Sequence, residues 1–252
     1  MRSLLAMIQR DLTADIKSYK ITLIRLFLQP AIYIFVFGYV VGRIIPMQGA
    51  RYSEVIAPGI IAISIMTGSF VSVGGSIISG YYFRTIEGWL LSPVTLRTIM
   101  MAKVISGLIY GVASGTTVGS LTWVILGILP KSLFIPFLMG TIGSLLFSFL
   151  TIVVFLFPER PDKGQEVFSF FIMPMTFFGC TFYSYSMLKP PFSYIALLLP
   201  TTYISEGLRA AYNPLIPHID SGLIFIGLLL TMSLLFPLAD WVFRRRLRDF
   251  LW

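Results

Sequence analysis

The chain has 252 residues, of which 56% are apolar and 12% are charged, and its mean hydropathy is +0.86. A soluble domain normally carries about 25% charged residues, so this composition excludes an ordinary water-soluble protein and indicates a surface in contact with lipid. The net charge of +8 could indicate a nucleic-acid partner. We exclude that interpretation, because the basic residues lie between long apolar stretches.

The first 20 residues predict a helix that lies in the membrane interface. Segment 1–20 contains Asp11 and Asp15 and no long apolar core, which is not the pattern of a cleaved signal peptide. Its apolar side chains recur at helical spacing, at Leu4, Leu5, Ile8, Leu12, Ile16 and Tyr19. The alternative is a simple cytoplasmic extension of the first membrane span.

Six apolar stretches follow, each near the length of about 20 residues that a membrane-spanning helix needs. They cover residues 21–42, 55–79, 99–129, 133–157, 167–183 and 223–243. The fifth is the weakest, because it is short and Pro174 interrupts it. We therefore predict an all-α, polytopic membrane protein of about six transmembrane helices, with residues 1–252 as a single transmembrane domain.

The basic residues predict the orientation of the chain. An even number of spans puts both termini on one side of the membrane, and most of the 19 Lys and Arg residues share that side. The exceptions are Arg43, Arg51, Lys131, Lys189 and Arg209. Because basic residues favour the cytoplasmic side, we predict that both termini are cytoplasmic.

Small residues recur every four positions in three of the predicted spans. The second span has Ser64, Gly68, Ser72, Ser76 and Gly80, and the fourth has Gly140, Ser144 and Ser148. The third has a glycine ladder at Gly107, Gly111, Gly115 and Gly119. Such a series lines one helix face and lets helices pack closely in lipid, so we predict a helix-packing role for the glycine ladder. For the fourth span, the general richness of membrane helices in Gly and Ser explains the pattern equally well.

Two connections between the spans are long. The inner loop, 80–97, is too polar to span a bilayer but has apolar residues at helical spacing. The outer segment, 184–222, contains three prolines around an apolar patch at 194–199 that is too short to cross. Such a patch can dip into the membrane and return if its backbone packs against protein. We therefore predict outer re-entrant helices between the fifth and sixth spans.

The sequence offers no residue set for catalysis or metal binding. His218 is the only histidine, and Cys180, inside the predicted fifth span, is the only cysteine. Arg25, Lys103 and Asp240 fall near span ends, where long basic side chains can reach the interface. The phosphate-binding pattern Gly-x-x-x-x-Gly-Lys-Ser/Thr does not occur. We expect no enzymatic activity and no cofactor in this chain, and we expect ATP and Mg²⁺ to bind a separate ATPase.

Two stretches carry a resemblance to a known family. Residues 87–94 read Glu-Gly-Trp-Leu-Leu-Ser-Pro-Val and precede Ala102-Lys103. Residues 171–209 include Pro174, a Leu-Pro-Thr-Thr-Tyr sequence and a final Glu-Gly-Leu-Arg. With the six spans, these stretches are similar to the type-2 ABC exporter permeases over nearly the whole chain. One departure is Pro200, which follows Leu where many relatives have Asn.

The resemblance implies a homodimer in a bacterial inner membrane, with two ATPase subunits docked on the cytoplasmic side. It also implies that 82–91 is a coupling helix that contacts the ATPase through Tyr82, Phe83, Arg84, Glu87 and Trp89. Aromatic anchors beside charges suit such a protein interface. The alternative is an aromatic loop that rests on lipid headgroups, where Tyr and Trp are also enriched.

The predicted fifth span is rich in aromatic residues, which in a dimer could line a translocation path. The residues in question are Phe171, Phe178, Phe182 and Tyr183. The alternative is that these rings face lipid or fill the dimer interface. Three residues apart on a predicted short outer helix, Glu206 and Arg209 are expected to pair with each other.

Taken together, these features predict the membrane-spanning subunit of an ABC exporter, with a drug, lipid or lipo-oligosaccharide-like substrate. The partners expected are the ATPase, a second copy of the chain and the lipid bilayer. A polysaccharide-exporting permease is one alternative, and a membrane channel or scaffold that does not use ATP is another. A membrane-embedded enzyme is a third, and it lacks a catalytic residue set.

Overall fold

The computed structural model describes residues 7–9, 13, 28, 30–42, 51–86, 88, 94–158 and 161–249, which form helices joined by turns and loops, with no strand among them. The helices, numbered in chain order, are α1 (Ile34–Val41, with π-helical spacing), α2 (Tyr52–Tyr82), α3 (Leu96–Leu126), α4 (Phe134–Leu156), α5 (Pro161–Phe178), α6 (Phe192–Leu198), α7 (Pro200–Tyr212) and α8 (Ser221–Asp249). A 3₁₀ turn at Tyr185–Met187 lies between α5 and α6.

The prediction of an all-α, polytopic membrane protein is confirmed. Among the described residues, four helices are long and apolar enough to cross a bilayer: α2, α3, α4 and α8. Two shorter apolar helices, Pro30–Val41 and Glu166–Phe178, fall where the first and fifth spans were predicted. The count of six spans stays a prediction. The predicted interfacial helix, 1–20, lies almost entirely outside the described residues.

Capping residues set the bounds of α3. Thr95 precedes the helix with an extended backbone, and its side-chain oxygen accepts a hydrogen bond from the Thr98 N–H at 3.4 Å. At the other end Gly127 has φ 69°, a left-handed conformation that glycine adopts without steric cost and that stops the helix. The helix therefore ends three residues before the predicted limit of 129.

The long helix α2 is the centre of the bundle. It packs on α3, α4 and α7, and 89% of its most apolar 18-residue stretch is buried inside the protein. The last helix, α8, packs mainly on α4, and only 22% of its most apolar 18-residue stretch is buried. Its exposed side chains are large and apolar, and include Leu229, Leu230 and Leu234. An exposed apolar face of this kind suits a membrane environment.

The buried apolar residues form two clusters at opposite ends of the bundle. The cluster that contains Ile204 and Leu208 of α7 marks what we call the α7 end. The other contains Ile99 of α3 and Val242 of α8, and marks the Arg84 end, where α2 finishes. Each long helix contributes to both clusters, so the two ends form one continuous core.

The fifth helix ends earlier than predicted. The prediction extended the span to residue 183, but α5 ends at Phe178 and the chain turns sharply after it. The turn is made by Cys180, which has φ 54° and is fully buried. Its predicted place inside the span is wrong, because a left-handed residue cannot continue a right-handed helix.

Lys103 also differs from its prediction. We expected its side chain to extend towards the membrane interface, but only 2% of it is exposed. Its Nζ lies 2.5 Å from the Ser76 hydroxyl oxygen, to which it donates between α2 and α3. A small residue at position 76 leaves room for the amine at this helix contact, and the hydrogen bond offsets part of the cost of burial.

Candidate functional site

A fully buried ion pair lies at the α7 end of the bundle. Glu206 and Arg209 are three residues apart on α7, both are 0% exposed, and the Arg209 Nη1 donates to Glu206 Oε1. The expected pairing of these side chains is therefore present. A buried charge without a partner destabilises a fold. Whether the ion pair is stable in this position therefore depends on the hydrogen bonds around it.

Arg209 connects three elements. Its Nη2 donates to the Cys180 carbonyl at 2.8 Å, in the turn that follows α5. Its Nη2 and Nε also donate to the Val55 carbonyl of α2, at 3.0 and 3.2 Å. The planar guanidinium presents several donors in a fixed geometry, which lets one side chain join α7, α2 and the end of α5.

Glu206 holds the loops on either side of α6 and α7. Its Oε1 accepts the backbone N–H of Tyr185 at 2.9 Å, and its Oε2 accepts that of Ile219 at 3.0 Å. Both carboxylate oxygens therefore have partners. The ion pair fixes the outer segment against the bundle, in addition to neutralising its own charges.

One face of α7 caps the end of α5. Thr201, Ser205 and Arg209 are four residues apart, and each donates to a carbonyl near the end of α5. The acceptors are Met175, Gly179 and Cys180. The last carbonyls of a helix have no partner within the helix, and water is scarce in a membrane. The Met175 carbonyl also accepts the Gly179 N–H at 3.1 Å, so this face of α7 chiefly satisfies the carbonyls of Gly179 and Cys180, which would otherwise be costly to bury.

The four predicted path residues do not share one environment. Phe171 and Phe178 on α5 are exposed, and Phe178 stacks on Phe192 of α6 at 6.1 Å between ring centres. Phe182 is half-buried and packs on Phe37 of α1, at 4.9 Å between ring centres. The Tyr183 hydroxyl donates to a carbonyl of α5 at 2.6 Å. Phe171 and Phe178 are thus available to a partner or cargo, whereas the other two support the fold.

The predicted ATPase-coupling residues begin where α2 ends. Tyr82 is 62% exposed and Phe83 is 77% exposed. Arg84 is also exposed and has φ 52°, so the backbone turns away from the axis of α2 at this residue. Glu87 and Trp89 lie outside the described residues.

The glycine ladder lies between α2 and α4, but its four members differ. A side chain at Gly107 or Gly111 would collide with Ser148 or Ser144 of α4, and one at Gly115 would lie 2.6 Å from Ile65 of α2. A Cβ at Gly119 would meet only the Tyr212 hydroxyl, at 3.5 Å, and a terminal carbon of Ile61, at 3.9 Å. Three glycines therefore permit close helix contact, and the fourth borders open space.

Within the described ranges, no group of three or more His, Cys, Asp or Glu residues could hold a metal ion. The polar cluster at the α7 end is saturated by its own hydrogen bonds, which suits an anchor rather than a reacting group. An apolar bundle with bilayer-length helices defines a polytopic membrane protein.

Comparison with known proteins agrees with this class. Residues 2–213 match the family described as ABC-2 type transporter, and the chain belongs to that family. The inner membrane transport permease YadH of Escherichia coli K12 is 30% identical over 191 residues, which cover 72% of this chain and 71% of the relative. Nodulation protein J of Bradyrhizobium diazoefficiens is 26% identical over 212 residues, which cover 83% and 79% of the two chains.

Membership of this family implies association with an ABC ATPase and a place in the inner membrane as a multi-pass protein. The predicted resemblance to ABC exporter permeases is thereby confirmed at the level of the family. The contacts of Arg209 with α2 and with the end of α5 were not predicted from the sequence. The available signal was the four-residue spacing of Thr201, Ser205 and Arg209, which aligns three donors on one helix face.

Proposed function

We propose that this chain is the membrane-spanning subunit of an ABC exporter. Two copies form the translocation path, and a separate ATPase that binds ATP and Mg²⁺ drives it from the cytoplasmic side. Support comes from the family, from the relative described as a transport permease, and from the lack of a phosphate-binding loop in the sequence. No cofactor is assigned to this chain.

The observation that carries the proposal is the exposed aromatic end of α2. Tyr82 and Phe83 project from the bundle at the Arg84 end, and the left-handed backbone of Arg84 redirects the chain into the predicted coupling segment. Large aromatic side chains dominate the energy of many protein interfaces. At this position they would transmit ATPase motion directly into α2, the central helix of the bundle.

We expect Phe83→Ala to weaken ATPase binding, because the variant removes a side chain that is 77% exposed and contributes little to the fold. Truncation of an interface anchor costs about 2 kcal/mol or more, which corresponds to roughly 30-fold weaker association. Co-purification of a tagged ATPase with the variant, followed by titration of the detergent-solubilised complex, measures the change.

Phe157→Ala is the matched control. Phe157 follows α4, is 67% exposed and lies outside the predicted coupling segment at the same end of the bundle. It should keep wild-type ATPase affinity. Equal affinity for Phe83→Ala and wild type would remove the coupling assignment. The double change Glu87→Ala, Trp89→Ala extends the same test to the rest of the predicted segment.

The exposed rings of α5 support a path or dimer face for amphipathic cargo. Phe170, Phe171, Phe177 and Phe178 are all exposed. Aromatic faces contact both apolar chains and sugar rings, which suits a drug, lipid or lipo-oligosaccharide-like substrate. A polysaccharide remains the alternative cargo, because the same rings can also stack on sugars.

We expect both termini to be cytoplasmic, because the basic residues are concentrated on their side. Lys131 and Lys189 are exposed at the opposite, outer side in this topology. Single cysteines at these positions, in a Cys180→Ser background, should react with a membrane-impermeant thiol reagent on intact cells. Labelling that occurs only after the membrane is permeabilised would show that the predicted topology is wrong.

A further inference from the structure

A groove of about 650 Å³ opens on the side of the bundle near the α7 end. Its walls come from α2, α3 and α4 and include Ile61, Val112, Gly119, Trp123 and Phe137. None of the four predicted path residues lines it. Its volume is within the range of about 300–1,000 Å³ that is typical of ligand sites, so it is large enough for a specific occupant.

Glycines keep this groove deep. A Cβ at Gly140 would meet only a terminal carbon of Ile65, at 3.9 Å, and Gly119 is comparably unobstructed. Side chains of α2 or α4 pack directly against the other three members of the glycine ladder, but among the described residues no helix packs over Gly119. Helix packing therefore does not explain the small residues at these two positions.

The lining offers little to water. The hydroxyl of Thr116 donates to the Ala113 carbonyl at 2.9 Å, and that of Ser120 donates to the Thr116 carbonyl at 2.9 Å. The hydroxyl hydrogens of these two side chains are thus already bonded to the backbone of α3. A buried water needs two to four polar partners, so the groove favours an apolar ligand.

The length of the groove matches one leaflet of a bilayer. Its α3 wall runs from Val112 to Trp123, which at 1.5 Å per residue is about 16 Å. The hydrocarbon core of a bilayer is about 30 Å thick, so half of it is about 15 Å. Leu133 and Phe134 of the lining are apolar and exposed, which suits a groove that opens towards lipid.

A cation directly follows one residue of the groove lining in the chain. Lys131 is exposed in the loop between α3 and α4, next to Pro130 of the groove wall. Its backbone N–H donates to the Ala211 carbonyl of α7 at 3.1 Å, which fixes the loop. A lysine at the membrane surface attracts anionic headgroups.

We propose that this groove binds one acyl chain of an anionic membrane phospholipid, with the phosphate near Lys131. The site is separate from the cargo path on α5, and it does not depend on the proposed export function. Purified full-length chain should retain one phospholipid molecule per copy in native mass spectrometry after extensive detergent washing.

Gly119→Leu and Gly140→Leu test the site, because each fills the groove without a backbone collision. Loss of burial for about two methylene groups makes binding roughly tenfold weaker. We expect both variants to elute as folded protein and to retain about tenfold less phospholipid on titration with phosphatidylglycerol. Gly75→Leu is the control, since Gly75 is exposed on α2 with no atom within 4 Å of its Cβ position.

Lys131→Gln tests the headgroup. This variant should bind phosphatidylglycerol and phosphatidylcholine equally, whereas the wild type should prefer phosphatidylglycerol. Equal phospholipid retention by the wild type and both groove-filling variants would overturn the proposal. A retained molecule whose mass is not that of a membrane phospholipid, or a wild type that retains none, would also overturn it.

Discussion

Arg209→Met should be among the most damaging single substitutions in this chain. It leaves the carboxylate of Glu206 buried without a cation and removes the donors to Val55 and Cys180. Breaking a buried pair by removing one partner typically costs about 3–5 kcal/mol. We expect little or no monodisperse protein by fluorescence-detected size-exclusion chromatography, and a strongly lowered melting temperature for any that is recovered.

A double variant separates the buried charge from the loss of packing. Glu206→Gln keeps a side-chain oxygen for Tyr185 or Ile219 but removes the negative charge. Glu206→Gln combined with Arg209→Met should therefore be more stable than Arg209→Met alone. Arg248→Met is the control for removal of an arginine, because Arg248 is exposed on α8. Strictly additive melting-temperature changes, or a wild-type profile for Arg209→Met, would contradict the anchoring role.

The four long helices were predictable because bilayer thickness sets their length. The predicted limits of α2, α3 and α4 differ from the observed ones by one to three residues at each end. The end of α3 also has a local signal, because Gly127 adopts a left-handed conformation that stops the helix. The N-cap residues of α2 and α4 make no side-chain hydrogen bond, so apolar length contains most of the information about those two helices.

The end of α5 was harder to predict, because apolar composition continues past it. The residues from Phe177 to Tyr183 are mostly aromatic or small, and an apolar run does not show where a helix stops. The turn at Cys180 is supported by tertiary contacts, including the hydrogen bond from Arg209. Such a contact joins residues 29 positions apart in the chain, so a local pattern cannot reveal it.

Only part of the role of Arg209 could be predicted, because most of its contacts also join residues far apart in the chain. A spacing of three residues on a helix predicts the contact with Glu206. The contact with Val55 joins residues 154 positions apart and depends on how α7 returns to the bundle. The prediction for Lys103 failed in a different way. Its position near the end of a predicted span suggested an exposed side chain, but the packing of α2 on α3 buries that side chain.

Gly111→Leu should prevent normal assembly of the bundle. A Cβ at Gly111 would collide with the hydroxyl oxygens of Ser69 on α2 and Ser144 on α4 at once. Overpacking a well-packed core costs about 1–3 kcal/mol. We expect the larger end of that range here, because the Cβ of Ser144 would also lie 2.8 Å away, and that atom can move only with the backbone of α4. The measurements are folded yield in detergent and melting temperature.

The same ladder supplies the control. Gly119→Leu makes an identical chemical change eight residues further along α3, where the side chain enters the lateral groove instead of a helix contact. It should give wild-type yield and a melting temperature close to that of the wild type. Since the two variants share helix propensity and added volume, a large difference between them isolates helix–helix contact as the cause. Equal stability of Gly111→Leu and Gly119→Leu would mean that α3 does not pack between α2 and α4 through this face.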